Sequence, residues 1–219
     1  MSITKNQTQI KSQLPAHVTL VAVSKTKPVA DLMEAYNAGQ RIFGENKIQE
    51  MTEKWEQMPK DIEWHMIGHI QTNKVKFMAE YVSLIHGVDS LKLLQEINKQ
   101  AKKHNRIIDC LLQIHIAEEE TKFGLDEEEL NHILTSDDFK SLENIKIVGL
   151  MGMATFTENQ NQIEKEFNHL KSIFDNYKKL NTKHCQLNTL SMGMSGDYQL
   201  AISCGSTMVR IGSSIFGTR

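Results

Sequence analysis

The 219-residue chain carries 25 Lys and Arg against 27 Asp and Glu, a net charge of −2, so its charge balance points to neither nucleic acid nor an anionic membrane as a partner. Its apolar runs all fall short of the roughly 18–20 residues that a bilayer span requires, and the polar stretch from Met1 to Gln13 lacks the apolar centre of a secretory signal. Three cysteines without a CxxC pair are expected as free thiols in a reducing cytoplasm, and 40% hydrophobic with 24% charged residues is the composition of a soluble globular protein.

The first element, Val18–Ser24, is a Val- and Leu-rich run closed by Pro28 and reads as a buried strand. Val29–Ala38 follows with a helical pattern ended by Gly39, a fitting C-terminal residue. Next come a strand at Arg41–Phe43, a helix at Lys47–Met58, a strand at Glu63–Ile67, a helix at Lys74–Tyr81 and a strand at Leu84–Val88. The helix Leu91–His104 opens after Asp89 and Ser90, either of which can cap it. Ile107–Ile116 is a strand in which Cys110 is a small buried hydrophobe, and Asp126–Thr135 is a helix with the acidic first turn its dipole favours. After the strand Lys146–Met151, a helix over Ile163–Lys178 has Ile163, Phe167, Leu170 and Phe174 on one face. A strand at Thr189–Ser191, a short helix within Gly196–Cys204 and a strand at Met208–Ile211 complete the chain.

Eight strands alternating with helices, with no Gly/Ser- or Pro-rich linker, predict an α/β fold of one domain over residues 1–219, a (β/α)8 TIM-type barrel. A doubly wound open sheet is the alternative, but Ser24-Lys25-Thr26-Lys27-Pro28 stands where its first turn would carry a Gly-rich fingerprint.

On a barrel the C-terminal ends of the strands form the active-site face. Lys25 is first there. A lysine held at the lip of a buried strand is partly desolvated, which favours the neutral amine that attacks an aldehyde to form a Schiff base. Gly44-Glu45-Asn46 follows the second strand, with two polar side chains expected to line a pocket. His65 and His69 have the i,i+4 spacing of a zinc pair. The first lies in a strand and no acidic third ligand follows, so a metal is not expected and His65 reads as a hydrogen-bonded interior histidine. Ser191-Met192-Gly193-Met194-Ser195-Gly196-Asp197 is a small, flexible, donor-rich turn, and Arg210-Ile211-Gly212-Ser213-Ser214 ends the last strand. Such turns cradle a phosphate with backbone N–H groups and hydroxyls, and barrel phosphate sites use the loops after strands seven and eight. An imine-forming lysine, two phosphate-suited turns and a fixed arginine together describe a pyridoxal-phosphate site. An arginine facing the pyridine nitrogen keeps it unprotonated and makes the ring a poorer electron sink.

Val21-Ala22-Val23-Ser24-Lys25-Thr26-Lys27-Pro28, Phe43-Gly44-Glu45-Asn46, Trp64 to Lys74, Leu190 to Asp197 and Val209-Arg210-Ile211-Gly212 resemble the pyridoxal phosphate homeostasis proteins, also called the YggS or PROSC family. The similarity runs from about residue 10 to Arg219, with five motifs in the family's order. It implies the alanine racemase N-terminal barrel, and this chain stops where the racemase's second, β-rich domain would begin. It further implies Lys25 as the covalent Schiff-base lysine for pyridoxal 5′-phosphate (PLP), Arg210 facing the pyridine nitrogen, and Ser195 with the backbone of Gly212 and Ser213 on the phosphate. Asn46 would sit beside the ring, with His65 in support. Lys47-Ile48 departs from the aromatic-aliphatic pair of the family, which bears on the pocket wall more than on the imine.

What the resemblance implies about activity is a non-enzymatic role in the cytoplasm: binding PLP, controlling the free cofactor and delivering it to apo-enzymes, with no nucleic-acid or membrane partner and a monomeric state. A racemase of this class needs a second base, a tyrosine from the partner's other domain, and nothing in the sequence obviously replaces it. A single-domain amino-acid racemase stays open as an alternative, as does an aldolase that forms a Schiff base with its own sugar-phosphate substrate.

Overall fold

Apolar runs and amphipathic stretches alternate along the chain, and the structure, a computed structural model describing residues 2–119 and 123–218, turns them into strands and helices in the same order. Met1 and Arg219, the ends of the expected domain, lie outside the described residues. The chain begins with α1 (Ile3–Gln13), β1 (Thr19–Val23), α2 (Val29–Asn37), β2 (Ile42–Glu45), α3 (Ile48–Gln57) and β3 (Glu63–Met66). A 3-10 helix (Thr72–Phe77) then leads to β4 (Leu84–Val88), α4 (Leu91–Lys103), β5 (Ile108–Gln113), α5 (Glu127–Thr135) and α6 (Asp137–Lys140). The last third holds β6 (Ile145–Met151), α7 (Gln160–Tyr177), β7 (Asn181–Thr182), β8 (Cys185–Ser191), α8 (Tyr198–Ser203), β9 (Met208–Ile211) and α9 (Ser213–Phe216).

β1 to β6 pair in sequence as parallel neighbours, β6 pairs with β8, β8 with β9, and β9 returns to β1. The result is a closed eight-stranded parallel barrel with helices between its strands, the TIM-type fold expected from the alternation. β7 only adds a short antiparallel arm on β8.

The period of two along each strand separates two cores. Leu20, Ala22, Phe43, Trp64, Ile85, Leu112, Leu150, Leu190 and Val209 point outward and meet the helices in one continuous apolar layer. Val21, Leu84, Leu111, Val148, Met151 and Met208 point inward and plug the barrel. Phe43 and Phe167 are fully buried, and each such side chain contributes about 1.5–3 kcal/mol.

Several elements depart from the sequence expectations, the unforeseen α6 and β7 among them. α1 was hidden in a polar N-terminus, yet Ile3, Gln7 and Ile10 share one buried face, and Ser2 caps it by accepting from the Lys5 N–H. It closes the seam between the chain's two ends, with Asn6 Nδ2 donating to Ile215 O (3.0 Å). The expected helix at Lys74–Tyr81 is instead the 3-10 turn, in which Val75 is the one buried residue, too little apolar surface to hold a longer helix. β8 starts four residues earlier than expected, at Cys185, because buried Cys185 and Leu187 alternate with exposed Gln186 and Asn188, whereas the expectation followed continuous apolar runs. α9 is a single turn after the last strand. Among the described residues no helix is long and apolar enough to cross a membrane.

Candidate functional site

Lys25 follows β1 by two residues and shares the inward parity of Val21 and Val23, so it emerges at the barrel mouth, half-buried. Because the barrel closes, the first and last strands are neighbours: Val21 is in register with Arg210 and Ala22 with Ile211. A Cβ on Gly212 would sit 3.1 Å from Val23 O, a close approach that suits glycine. Lys25, Arg210 and the turn beginning at Gly212 therefore occupy one sector of the mouth.

Arg210 is buried inside the barrel. Its guanidinium donates to Ser191 O (2.9 Å), Ser191 Oγ (2.7 Å) and Gly152 O (3.0 Å), all neutral acceptors. Burial lowers its pKa to about 10, with Asp197 pulling the other way, and at that value it keeps its charge at neutral pH. Beyond Ser191 lies His86, with Nδ1 3.1 Å from Ser191 Oγ and Nε2 3.0 Å from His65 Nδ1. Arginine only donates, and the Ser191 hydroxyl has no other bonded acceptor among the described residues. Ser191 therefore gives its proton to His86 Nδ1, and His86 donates from Nε2 to His65. Burial drives the His65 pKa down to about 3. Burial, then His65, then Arg210 hold His86 well below the ordinary range.

These two neutral histidines link stability to pH. Their folded pKa values lie below the unfolded value of about 6.5, so the unfolded chain binds protons first as pH falls. Stability is full above about pH 6.5 and is lost below it, by about 2 kcal/mol for His65 between pH 6.5 and pH 5, with His86 adding a loss of the same sign. Urea unfolding at pH 7 and pH 5 measures this loss, and His65→Asn is expected to remove the His65 part of it. Equal stability of the wild type at the two pH values would refute the assignment of both rings as neutral.

The turn after β8 is tied down where the sequence suggested flexibility. Met194 N donates to Asp197 Oδ1 (2.5 Å), Tyr198 N to Met194 O (2.9 Å) and Arg210 N to Gly193 O (3.0 Å). Gly193 takes φ +97, and a Cβ there would meet that of Ala201 at 2.6 Å, so this position requires glycine. The fixed turn carries half-buried Ser195 to the last strand's end. There the N–H groups of Gly212 (3.3 Å) and Ser214 (3.5 Å) converge on Ser195 Oγ, two long bonds onto one hydroxyl. Donors so weakly satisfied and aimed at one point suit an anion. Ser213 opens α9 between them and is exposed.

Asn46 lies at the β2 end, half-buried, and Gly68 admits the close passage of the next loop, since a Cβ there would lie 2.5 Å from Asn46 O. A cavity of about 560 Å³ between α3 and the 3-10 helix has Asn46, Met66, His69 and Phe77 in its wall, so Asn46 joins it to the mouth. His65 and His69 diverge: His69 stacks on Phe123 and lies 3.4 Å from Asp89.

Glu45 does not line the mouth, a correction to the sequence reading. Strand alternation turns it outward with Phe43, where Ser24 Oγ (2.6 Å) and Lys54 Nζ (2.7 Å) both donate to its Oε1. Burial pushes its carboxyl up against the pull of Lys54, and among the described residues its Oε2 has no hydrogen-bond partner. Sequence reasoning also missed His86 and Lys54, and it placed Ser191 in the donor-rich turn without its bond to Arg210. A histidine inside the apolar run Leu84-Ile85-His86-Gly87-Val88, and a lysine on the stripe of Ile48 and Met51, were the available signals.

The chain matches the family model described as alanine racemase, N-terminal domain, over residues 1–219. A protein of Haemophilus influenzae named pyridoxal phosphate homeostasis protein is 39% identical over 205 residues, 92% of this chain and 85% of the relative. One of the same name from Pasteurella multocida is 37% identical, covering 100% of this chain and 98% of its own. Among solved structures, PipY of Synechococcus elongatus with PLP bound superimposes with a TM-score of 0.89 at 33% identity, covering 98% of this chain and 100% of PipY. An alanine racemase of Clostridium difficile shares the fold (TM-score 0.79, 17% identity), with 100% of this chain matching 56% of the racemase.

Proposed function

The chain belongs to the alanine racemase N-terminal domain family and, within it, to the pyridoxal phosphate homeostasis proteins, and from that premise we propose that it binds PLP through a Schiff base on Lys25. In this reading it works as one unit over residues 1–219, a cytoplasmic monomer that buffers the free cofactor and hands it to apo-enzymes, without efficient turnover of its own.

The observation that carries this reading is the ring closure that sets Lys25's strand beside both Arg210 and the Ser195–Gly212 donor pair. The residues fit the group's three handles. Lys25 faces an aldehyde, the N–H groups at Gly212 to Ser214 with Ser195 receive a phosphate, and Arg210, buried among neutral acceptors, faces the ring nitrogen. Asn46 borders the ring, and His65 supports Arg210 through His86 and Ser191. When bound, the cofactor supplies an aldehyde carbon that exchanges between amines.

Absence of turnover is supported by where the tyrosines lie. Tyr36, Tyr81, Tyr177 and Tyr198 all pack against the outer core between barrel and helices, and none joins the inward cluster. This chain therefore offers no tyrosine as a second base across the mouth from Lys25.

Titration with PLP, borohydride reduction and peptide mapping test the reading. A single label on Lys25 is expected, and label on any other lysine would overturn the site. Racemisation of alanine or serine well above background would replace the carrier reading with that of a racemase.

A further inference from the structure

Behind the strand ends that carry Lys25, on the outer side of the barrel wall, lies a buried ion cluster for which the proposed chemistry has no direct use. Lys54 Nζ donates to Ser24 O (2.9 Å), Glu45 Oε1 (2.7 Å) and Glu50 Oε1 (2.7 Å), and the Lys54 and Glu45 side chains are 6% and 0% exposed. Ser24 Oγ donates to Glu45, and the Thr26 N–H donates to Glu50 Oε1 (2.6 Å). The residues immediately before and after Lys25 are thus each tied to one carboxylate, and the two carboxylates share one ammonium.

The second feature is backbone strain at the same place. The turn from Ser24 to Lys27 closes with Lys27 N donating to Ser24 O (3.1 Å), and Thr26, its third residue, has φ +65. A turn with positive φ at that position normally carries glycine or asparagine, and a β-branched side chain there is a true outlier. Such strain persists only where the surroundings over-determine it. Here the Glu50 carboxylate grips the strained residue's own amide.

We propose that the Glu45–Lys54–Glu50 cluster is a positioning device for Lys25: Glu50 holds Thr26 left-handed, and that turn fixes the direction in which Lys25 leaves β1 for the barrel mouth. The inference rests on the reading of Lys25 as the cofactor anchor. None of the three cluster residues has to touch the cofactor; they act through the backbone on either side of Lys25. α3, which carries Glu50 and Lys54, thereby becomes part of the site from outside the barrel.

The test compares wild type, Glu50→Ala, Glu50→Gln and the double variant Glu50→Ala/Thr26→Gly, each titrated with PLP. Absorbance gives affinity, and the visible circular dichroism of the bound chromophore at saturation reports its orientation. Glu50 has a 23% exposed side chain, and Lys54 keeps Glu45 when Glu50 is lost, so all the variants are expected to fold. Glu50→Ala is expected to weaken binding about tenfold, the scale of one released backbone strain, and to alter the dichroic band with far-UV dichroism unchanged. Glu50→Gln retains the acceptor oxygen and is expected to stay within about twofold of wild type, well under the tenfold that 1.4 kcal/mol represents. Glycine takes positive φ without strain, so Thr26→Gly is expected to restore most of what Glu50→Ala removes.

An unchanged affinity and dichroic band in Glu50→Ala would overturn the inference. So would a Gln variant as impaired as the Ala variant, or a double variant that recovers nothing. A wild type with no reducible adduct at Lys25 would instead bring down the functional reading itself, and that result is distinct from a normal wild-type adduct that Glu50→Ala leaves untouched.

Discussion

Lys25→Ala is expected to abolish the reducible adduct with PLP and its visible absorbance, leaving only weak phosphate-directed binding, with a Kd raised by about a hundredfold or more, some 3 kcal/mol. Three other amines near the mouth or the β1 end are the candidates to replace it, and each has a different commitment. Lys54 is buried behind the wall with its ammonium on two carboxylates, so it can neither reach the mouth nor leave its partners cheaply. Lys27 Nζ donates to Phe216 O (3.2 Å) and Thr218 O (3.3 Å), tying the first turn to the chain's last described residues. Lys47 is exposed in the wall of the cavity beside the mouth. Of these four lysines, only Lys25 combines inward parity, partial burial and adjacency to the Arg210 strand. The outcome that would sink the assignment is a Lys25→Ala protein that still carries a borohydride-stable label. Lys25→Arg sharpens the result: it keeps a positive charge at the position and cannot form the imine, so it should be as colourless as the alanine variant while holding the phosphate somewhat better.

How far the sequence carried depended on which physical signal each feature leaves. The barrel was readable because parallel strands buried on both faces are near-continuous apolar runs, and Val18–Ser24 or Leu84–Val88 cannot easily be anything else. The late turns were readable because glycine and serine cluster there for backbone reasons. Glu45 was misplaced because a dipeptide such as Glu45-Asn46 straddles the wall, and strand alternation sends one side chain to the mouth and the other to α3. The Arg210–Ser191–His86–His65 chain joins β9, β8, β4 and β3, with partners up to 105 positions apart, as in His86–Ser191. No local pattern announces such a set. α1 was overlooked because only Ile3 and Ile10 supply its apolar anchor among eleven residues, and its stability comes from docking over the seam.

Arg210→Met is expected to cost about 1–3 kcal/mol of folding stability, measured by urea unfolding, and to change the pH dependence of the visible band of the PLP adduct. Methionine fills much of the same volume and relieves the desolvation of a buried charge, which by itself is stabilising. Against that, Gly152 O loses its donor inside the barrel, Ser191 O is left with the Gly152 N–H alone (3.1 Å), and Ser191 Oγ loses the bond that fixes its proton toward His86. Each buried acceptor left unpaired costs about 1–3 kcal/mol, so the loss wins. Arg210→Lys separates charge from geometry. An ammonium keeps the positive charge but cannot present the planar fork that reaches β8 and the end of β6 together, so it should recover part of the stability and less of the ring environment. The spectral arm follows from the guanidinium's remaining charged, at a pKa of about 10, while two neutral histidines stand behind it. A permanent cation at the ring nitrogen keeps that nitrogen unprotonated. With methionine in its place the nitrogen is free to take a proton, and the band of the adduct should then titrate in a range where the wild type's does not. If Arg210→Met binds PLP with a wild-type spectrum at every pH and unfolds within about 1 kcal/mol of wild type, below what a single orphaned carbonyl should cost, then Arg210 neither faces the ring nor holds the barrel top.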